Sequence, residues 1–184
     1  MRLFFINSGI PGSGKTYYRT NNFIQDVLVI CPDEKIGYTD EDPWTPKKAR
    51  DAWKQSDQEL KDALANESQK LILFDATFTS PKKRKKYIGW AQKAGVQLVG
   101  IYINTGFKIC EARNNEREKS RKVPPFILKN MSKALQSPTI GEGFSAVIDV
   151  EKKIVYHNGD KEFLNKLNEI INLSQYNKKK EKSE

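Results

Sequence analysis

An α/β domain with a mainly parallel sheet and helices on both faces is the fold this sequence predicts. Two observations carry the prediction. Short apolar runs alternate with longer stretches of helical spacing, the pattern of βαβ units. The 184 residues are 38% hydrophobic and 30% charged, the balance of a single globular domain with its own core. Two isolated cysteines, Cys31 and Cys110, and a single histidine, His157, exclude a disulfide framework and a Cys/His zinc site. No apolar run approaches the roughly 20 residues that span a bilayer. Met1–Asn7 lack a secretory cleavage pattern, so a reduced, cytoplasmic protein is expected.

Taken in order, Leu3–Asn7 reads as a buried strand, followed by a Gly-rich turn and a helix over about 15–25. Val27–Cys31 is a second apolar run, stopped by Pro32. From Pro46 to Asn66, residues Ala49, Trp53, Leu60 and Leu64 fall near one helical face. Leu71–Phe74 is a third strand ending in Asp75. Ser80-Pro81 places a capping residue before a first-turn proline and opens a helix to about Ala94. Gln97–Ile103 is a fourth strand, Phe107–Glu118 is helical, and Pro124-Pro125 starts a helix to about Leu135. Ala146–Val150 and Ile154–Tyr156 are late strands, and Lys161–Leu173 is a closing helix. One domain is expected over 1–176, with 177–184 as a basic, disordered tail.

The turn after the first strand, Gly9-Ile10-Pro11-Gly12-Ser13-Gly14-Lys15-Thr16, matches Gly-x-x-x-x-Gly-Lys-[Ser/Thr] in full. Glycines let successive backbone N–H groups point inward at phosphate oxygens. Lys15 is placed to reach the β- and γ-phosphates, Thr16 offers a hydroxyl to Mg²⁺, and the following helix aims its positive end at the anion. A strand before and a helix after complete the context of a nucleoside-triphosphate site, with Gly12, Ser13, Gly14, Lys15 and Thr16 as its binding residues. In an open parallel sheet, ligands sit beyond the carboxyl ends of the strands. Two acids fall there: Asp75, closing the Walker B form Leu-Ile-Leu-Phe-Asp as a candidate metal-orienting group, and Asp33, a candidate general base. Arg113 and Arg117, four apart, are expected on one helical face, where they can close over a triphosphate.

The net charge of +9 is local. Lys82–Lys86 supplies +5, Arg113–Lys122 +3 and the tail +2, leaving −1 for everything else. An anion-binding surface accounts for such concentration better than a generally cationic protein does, although each run also reads as a solvated helix face. Trp44 and Trp53 are the aromatic candidates for stacking a base, with core packing the alternative use of Trp53.

These features recur together in one order: the phosphate loop with Pro11, Asp33 after the second strand, Leu-Phe-Asp75-Ala-Thr77, and a basic helix. After them come Arg113-Asn-x-x-x-Arg117, Val123-Pro124, Ser137-Pro-Thr and Glu142-Gly143-Phe144. Over about residues 1–150 the set resembles the bacteriophage and bacterial 5′-polynucleotide kinase domain family. The resemblance implies a P-loop kinase-like fold and transfer of the γ-phosphate of ATP, with Mg²⁺, to the 5′-hydroxyl end of DNA or RNA. By position it implies Lys15 and Thr16 at the phosphates and metal, Asp33 as the base, Arg117 acting from a lid, and Asp75 where donor and acceptor meet. Family members usually carry an arginine three residues after the base to hold the acceptor's phosphate; here that position is Ile36, with Lys35 and Arg50 as substitutes. The 3′-phosphatase fused to some relatives is not implied. Two other readings stand beside this one: a P-loop kinase of a small alcohol or nucleoside, which Ile36 favours, and a non-enzymatic nucleotide-binding protein.

Overall fold

The computed structural model describes every residue except 38, 40, 43 and 182–184. Seven strands form one sheet: β1 (Leu3–Ser8), β2 (Leu28–Ile30), β3 (Leu71–Phe74), β4 (Gln97–Tyr102), β5 (Ala146–Asp149), β6 (Ile154–His157) and β7 (Asn177–Lys180). Their spatial order is β2-β3-β1-β4-β5-β6-β7. The first five are parallel, and β6 turns back antiparallel against β5, with β7 parallel to β6. β1 is fully buried between β3 and β4, which is why it reads as an unbroken apolar run.

Successive residues of the strands face opposite layers. Phe4, Ile6, Ile72 and Phe74 pack against Leu60 and Leu64 of α3 (Pro46–Ala65) and Tyr87, Ile88 and Ala91 of α4 (Pro81–Lys93). Leu3, Phe5, Leu71 and Leu73 pack on the other side against Tyr18 of α1 (Lys15–Asn22) and Phe163, Leu167 and Ile170 of α7 (Lys161–Ile170). A third, small cluster of Ile10, Cys110 and Leu128 attaches α5 (Phe107–Asn115) and α6 (Pro125–Ala134) to the loop after β1. Trp53 belongs to the first layer, stacked on Phe74 with ring centroids 5.8 Å apart, whereas Trp44 is exposed. Among the described residues no helix is long and apolar enough to cross a membrane.

Three expectations change. The helix after the phosphate loop stops at Asn22, because Phe23 turns extended and bridges to Ile171. Pro32 does not merely stop β2; it starts a short helix, α2 (Pro32–Ile36), that carries Asp33 in its first turn and ends at Gly37 in the left-handed region (φ 58°). The tail expected to lie outside the fold begins as strand β7, since the edge of β6 offers Asn177–Lys180 a backbone ladder that side-chain polarity does not forbid. Residues 182–184 of that tail lie outside the described residues.

Candidate active site

Between β1 and α1 the chain is held tightly enough to require its glycines. Gly12 and Gly14 have φ of 81° and 97°. A Cβ on Gly12 would stand 2.6 Å from the Cys110 carbonyl oxygen, so the α5 backbone packs directly on the loop. Gly14 caps α1 with no side-chain bond, leaving the first-turn amides open to an anion. The Lys15 ammonium folds back to donate to the Gly9 and Ile10 carbonyls, both at 3.1 Å. Burial lowers its pKa, opposed by the carboxylates of Asp75 and Asp33 and reinforced by the Arg117 guanidinium. The Ser13 hydroxyl is buried without a partner, and that of Thr16 faces solvent.

Register brings Asp75 to this loop. Phe74 pairs with Ile6, so Asp75 and Asn7 leave adjacent strands side by side, and the Asn7 amide donates to Asp75 Oδ1 at 2.9 Å. The second oxygen accepts from Arg19 Nη1 at 3.1 Å, and the other arm of Arg19 reaches Glu34 Oε1, also at 3.1 Å. Asp75 is thus buried with both oxygens engaged. Asp33 stands at the open side of this cluster. Although solvent reaches the residue, protein around its carboxyl desolvates it and raises its pKa; Lys15 opposes that rise and Asp75 adds to it. Hard oxygen donors such as Thr16 and these carboxylates suit Mg²⁺, which keeps waters and leans on substrate phosphates. Among the described residues no cluster of three ligating side chains exists, so such an ion would be held chiefly by a bound triphosphate. With both Asp75 oxygens taken, Asp75 fits as a partner through water, and Thr16 as the direct ligand.

Arg113 and Arg117 do not share a helical face. α5 ends at Asn115, and Arg117 lies in the loop beyond it. The two still line one pocket with the phosphate loop, because the buried Asn114 side chain pins the loop shut: it donates to the Val123 carbonyl (2.8 Å) and accepts from the Val123 N–H (3.0 Å). Arg113 Nη1 donates to the Gly12 carbonyl at 3.0 Å. Arg117 and Arg121 both act electrostatically on Asp33.

The basic run Lys82–Lys86 is not one charged face. Arg84 is fully buried and donates to Glu142 in two bonds (2.7 and 2.9 Å), to the Phe78 and Gln136 carbonyls at 3.1 Å, and to that of Ser137 at 3.4 Å. It ties the segments 137–139 and 142–144 to α4. Lys86 pairs with Asp57 at 2.6 Å and lies over the Tyr87 and Trp90 rings. Lys82, Lys83 and Lys85 remain exposed, at the end of α4 that follows β3 and therefore beside the cleft. Of the proposed substitutes for the missing arginine, Lys35 pairs with Glu59 at 2.6 Å and Arg50 is exposed on α3. Sequence reasoning passed over Arg19, Glu34, Asn7 and Asn114. Only the register and packing bring Arg19 to Asp75, and no spacing in the chain signals it.

A model of the AAA domain family matches residues 5–138. Among solved structures, the fold resembles a chain of the Pnkp1/Rnl/Hen1 RNA repair complex (TM-score 0.60, 18% identity, 73% of this chain and 44% of that one). It also resembles a putative kinase from Chloroflexus aurantiacus (0.53, 15%, 71% and 74%) and a sugar kinase from Janibacter sp. (0.53, 16%, 96% and 98%). The chain spans less than half the length of the repair-complex polypeptide. No curated protein matches the sequence. At these identities the likeness is one of fold, a P-loop kinase fold.

Proposed function

The chain belongs to the AAA domain family, and on that premise we propose that it is an ATP-dependent kinase acting on the 5′-hydroxyl end of DNA or RNA. The observation that carries the kinase reading is the convergence of Lys15, Asp33, Asp75 and Arg117 within electrostatic reach of one another at the carboxyl ends of β1, β2 and β3. Phosphoryl transfer asks for little else: charge on the transferred group, alignment, and a base for the acceptor's proton. Lys15 leaves the Gly9 and Ile10 carbonyls for the phosphate oxygens, and the loop amides hold the donor. Arg117, carried on the segment that Asn114 pins, meets charge developing on the γ-phosphoryl. Asp33 takes the hydroxyl proton, and its raised pKa suits it to that exchange. Mg²⁺, when bound, neutralises the β- and γ-phosphate oxygens. Asp75, fixed by Asn7 and Arg19, orients that end of the site.

A polynucleotide acceptor is supported by Lys82, Lys83 and Lys85, exposed cations beside the cleft that can follow a phosphate backbone. The fold likeness to a chain of an RNA repair complex agrees with it. The opposing observation favours a small-alcohol or nucleoside acceptor: Ile36 is buried and Lys35 is neutralised by Glu59. A purely regulatory nucleotide binder has no use for a carboxylate beside Lys15. Cys31 and Cys110 are both free, in keeping with a cytoplasmic enzyme. Incubation with labelled ATP and a panel of 5′-hydroxyl oligonucleotides, nucleosides and sugars tests the proposal. Label in the oligonucleotides is the expected result; label confined to sugars or nucleosides establishes the second reading.

A further inference from the structure

The pocket that opens at the phosphate loop has a volume of about 740 Å³ and a second end of different character. There its walls include Tyr18 of α1, Lys153 of the β5–β6 turn, and Gln175 and Tyr176 just before β7. Three of these four lie outside the stretch 5–138 that the family shares, so they belong to this chain.

That end is built, not incidental. Lys153 is held in the left-handed region (φ 54°), a conformation an L side chain seldom adopts without a reason. From there its ammonium donates to Gln175 Oε1 at 3.1 Å, and its carbonyl accepts from the Asn177 N–H at 2.9 Å. An ammonium only donates, so the glutamine oxygen must face it, and the carboxamide presents its two N–H donors elsewhere. Tyr18 is 4% exposed, and its hydroxyl has no hydrogen-bond partner. The Tyr176 phenol is near enough to raise its pKa, after burial, without completing a bond of normal geometry. A buried hydroxyl left unsatisfied at a pocket wall is the mark of a missing ligand contact.

We propose that this end is the nucleoside subsite of the donor and takes a purine, with the Gln175 carboxamide donating to a ring nitrogen of the base and the Tyr18 hydroxyl making the second polar contact. The inference rests on the donor-site reading above. Adenine and guanine share the N7 acceptor, so a donor-only carboxamide accepts both. A one-ring base leaves the far wall unfilled.

Calorimetry on the full chain with ATP, GTP, CTP and inorganic tripolyphosphate tests this, because tripolyphosphate occupies the phosphate loop alone. ATP and GTP are expected to bind alike, and CTP about tenfold more weakly, the equivalent of one lost hydrogen bond. Gln175→Ala is expected to weaken ATP by about tenfold and Tyr18→Phe by several-fold, with tripolyphosphate affinity held in both. Tyr18→Phe removes an unsatisfied group, so it is expected to melt no lower than the parent. Unchanged ATP affinity in both variants, parallel loss of ATP and tripolyphosphate, or CTP binding as tightly as ATP would overturn the proposal while leaving the donor site standing. Failure of the parent chain to bind any triphosphate overturns the donor reading, and this one with it.

Discussion

The donor end of the cleft takes Gly12, Ser13, Gly14, Lys15 and Thr16 from five consecutive residues, whereas the other end assembles Asn7, Arg19, Glu34 and Asp75 from β1, α1, α2 and the end of β3. A contiguous loop needs only its own backbone conformation, imposed by glycines at positive φ. The assembled end needs the sheet register first, since Asn7 and Asp75 meet only because β1 and β3 pair as they do. Damage to the donor end should therefore be chemical and local. Damage to the other end should mix chemistry with fold.

The largest effect expected is at the donor end. Lys15→Ala should reduce phosphoryl transfer by on the order of 10³-fold, because it removes the charge that meets the phosphates. Its thermal melting should stay close to the parent's, as Lys15 touches only loop carbonyls. Near-parental turnover would break the comparison at its stronger side.

Glu142→Ala is the structural counterpart. It leaves the fully buried Arg84 guanidinium without its carboxylate, and loss of a buried pair's partner destabilises by about 3 kcal/mol. Denaturant unfolding measures it. A change under about 1 kcal/mol, the range of surface pairs, would mean that Arg84 is not what fastens segments 137–144 to α4.

Asp33→Asn separates the two kinds of damage at a single site. Turnover should fall by about 10²-fold while ATP affinity survives. Folding raises the Asp33 pKa, so its ionised form destabilises the folded chain at pH values above the unfolded carboxylate pKa, and that effect fades as pH falls. The variant should therefore melt no lower than the parent at neutral pH. The parent's rate should decline as pH drops through the raised pKa, and this acid limb should vanish in the variant. An unchanged acid limb would remove Asp33 from the base role.

The smallest effect concerns α4. Replacing Lys82, Lys83 and Lys85 together with Gln should make the slope of log affinity against log salt shallower by about two to three for oligonucleotide binding. Replacing Lys86, already held by Asp57, should leave that slope unchanged. Equal slopes in all variants would return the exposed lysines to a solvated helix face.

Much of this was legible in the chain because it depends on neighbours in sequence. The strands showed as apolar runs since a parallel sheet covered on both faces leaves no polar side. The phosphate loop showed because its glycines answer a local backbone demand. Lys15, Asp33 and Asp75 could be placed at the cleft from their positions after strands alone. Residue type and spacing determined those elements. Tertiary structure alone decided which charges are free. Arg84 and Lys82 look alike in a run of five bases, yet one is buried against Glu142 and the other is exposed, because a helix face is assigned only when something packs on it. Arg19 reaches Asp75 across 56 positions of chain, and Asn177–Lys180 becomes a strand because β6 offers it an edge. A long-range ion pair or an edge ladder is fixed by where two separate segments meet, and no local propensity encodes that meeting.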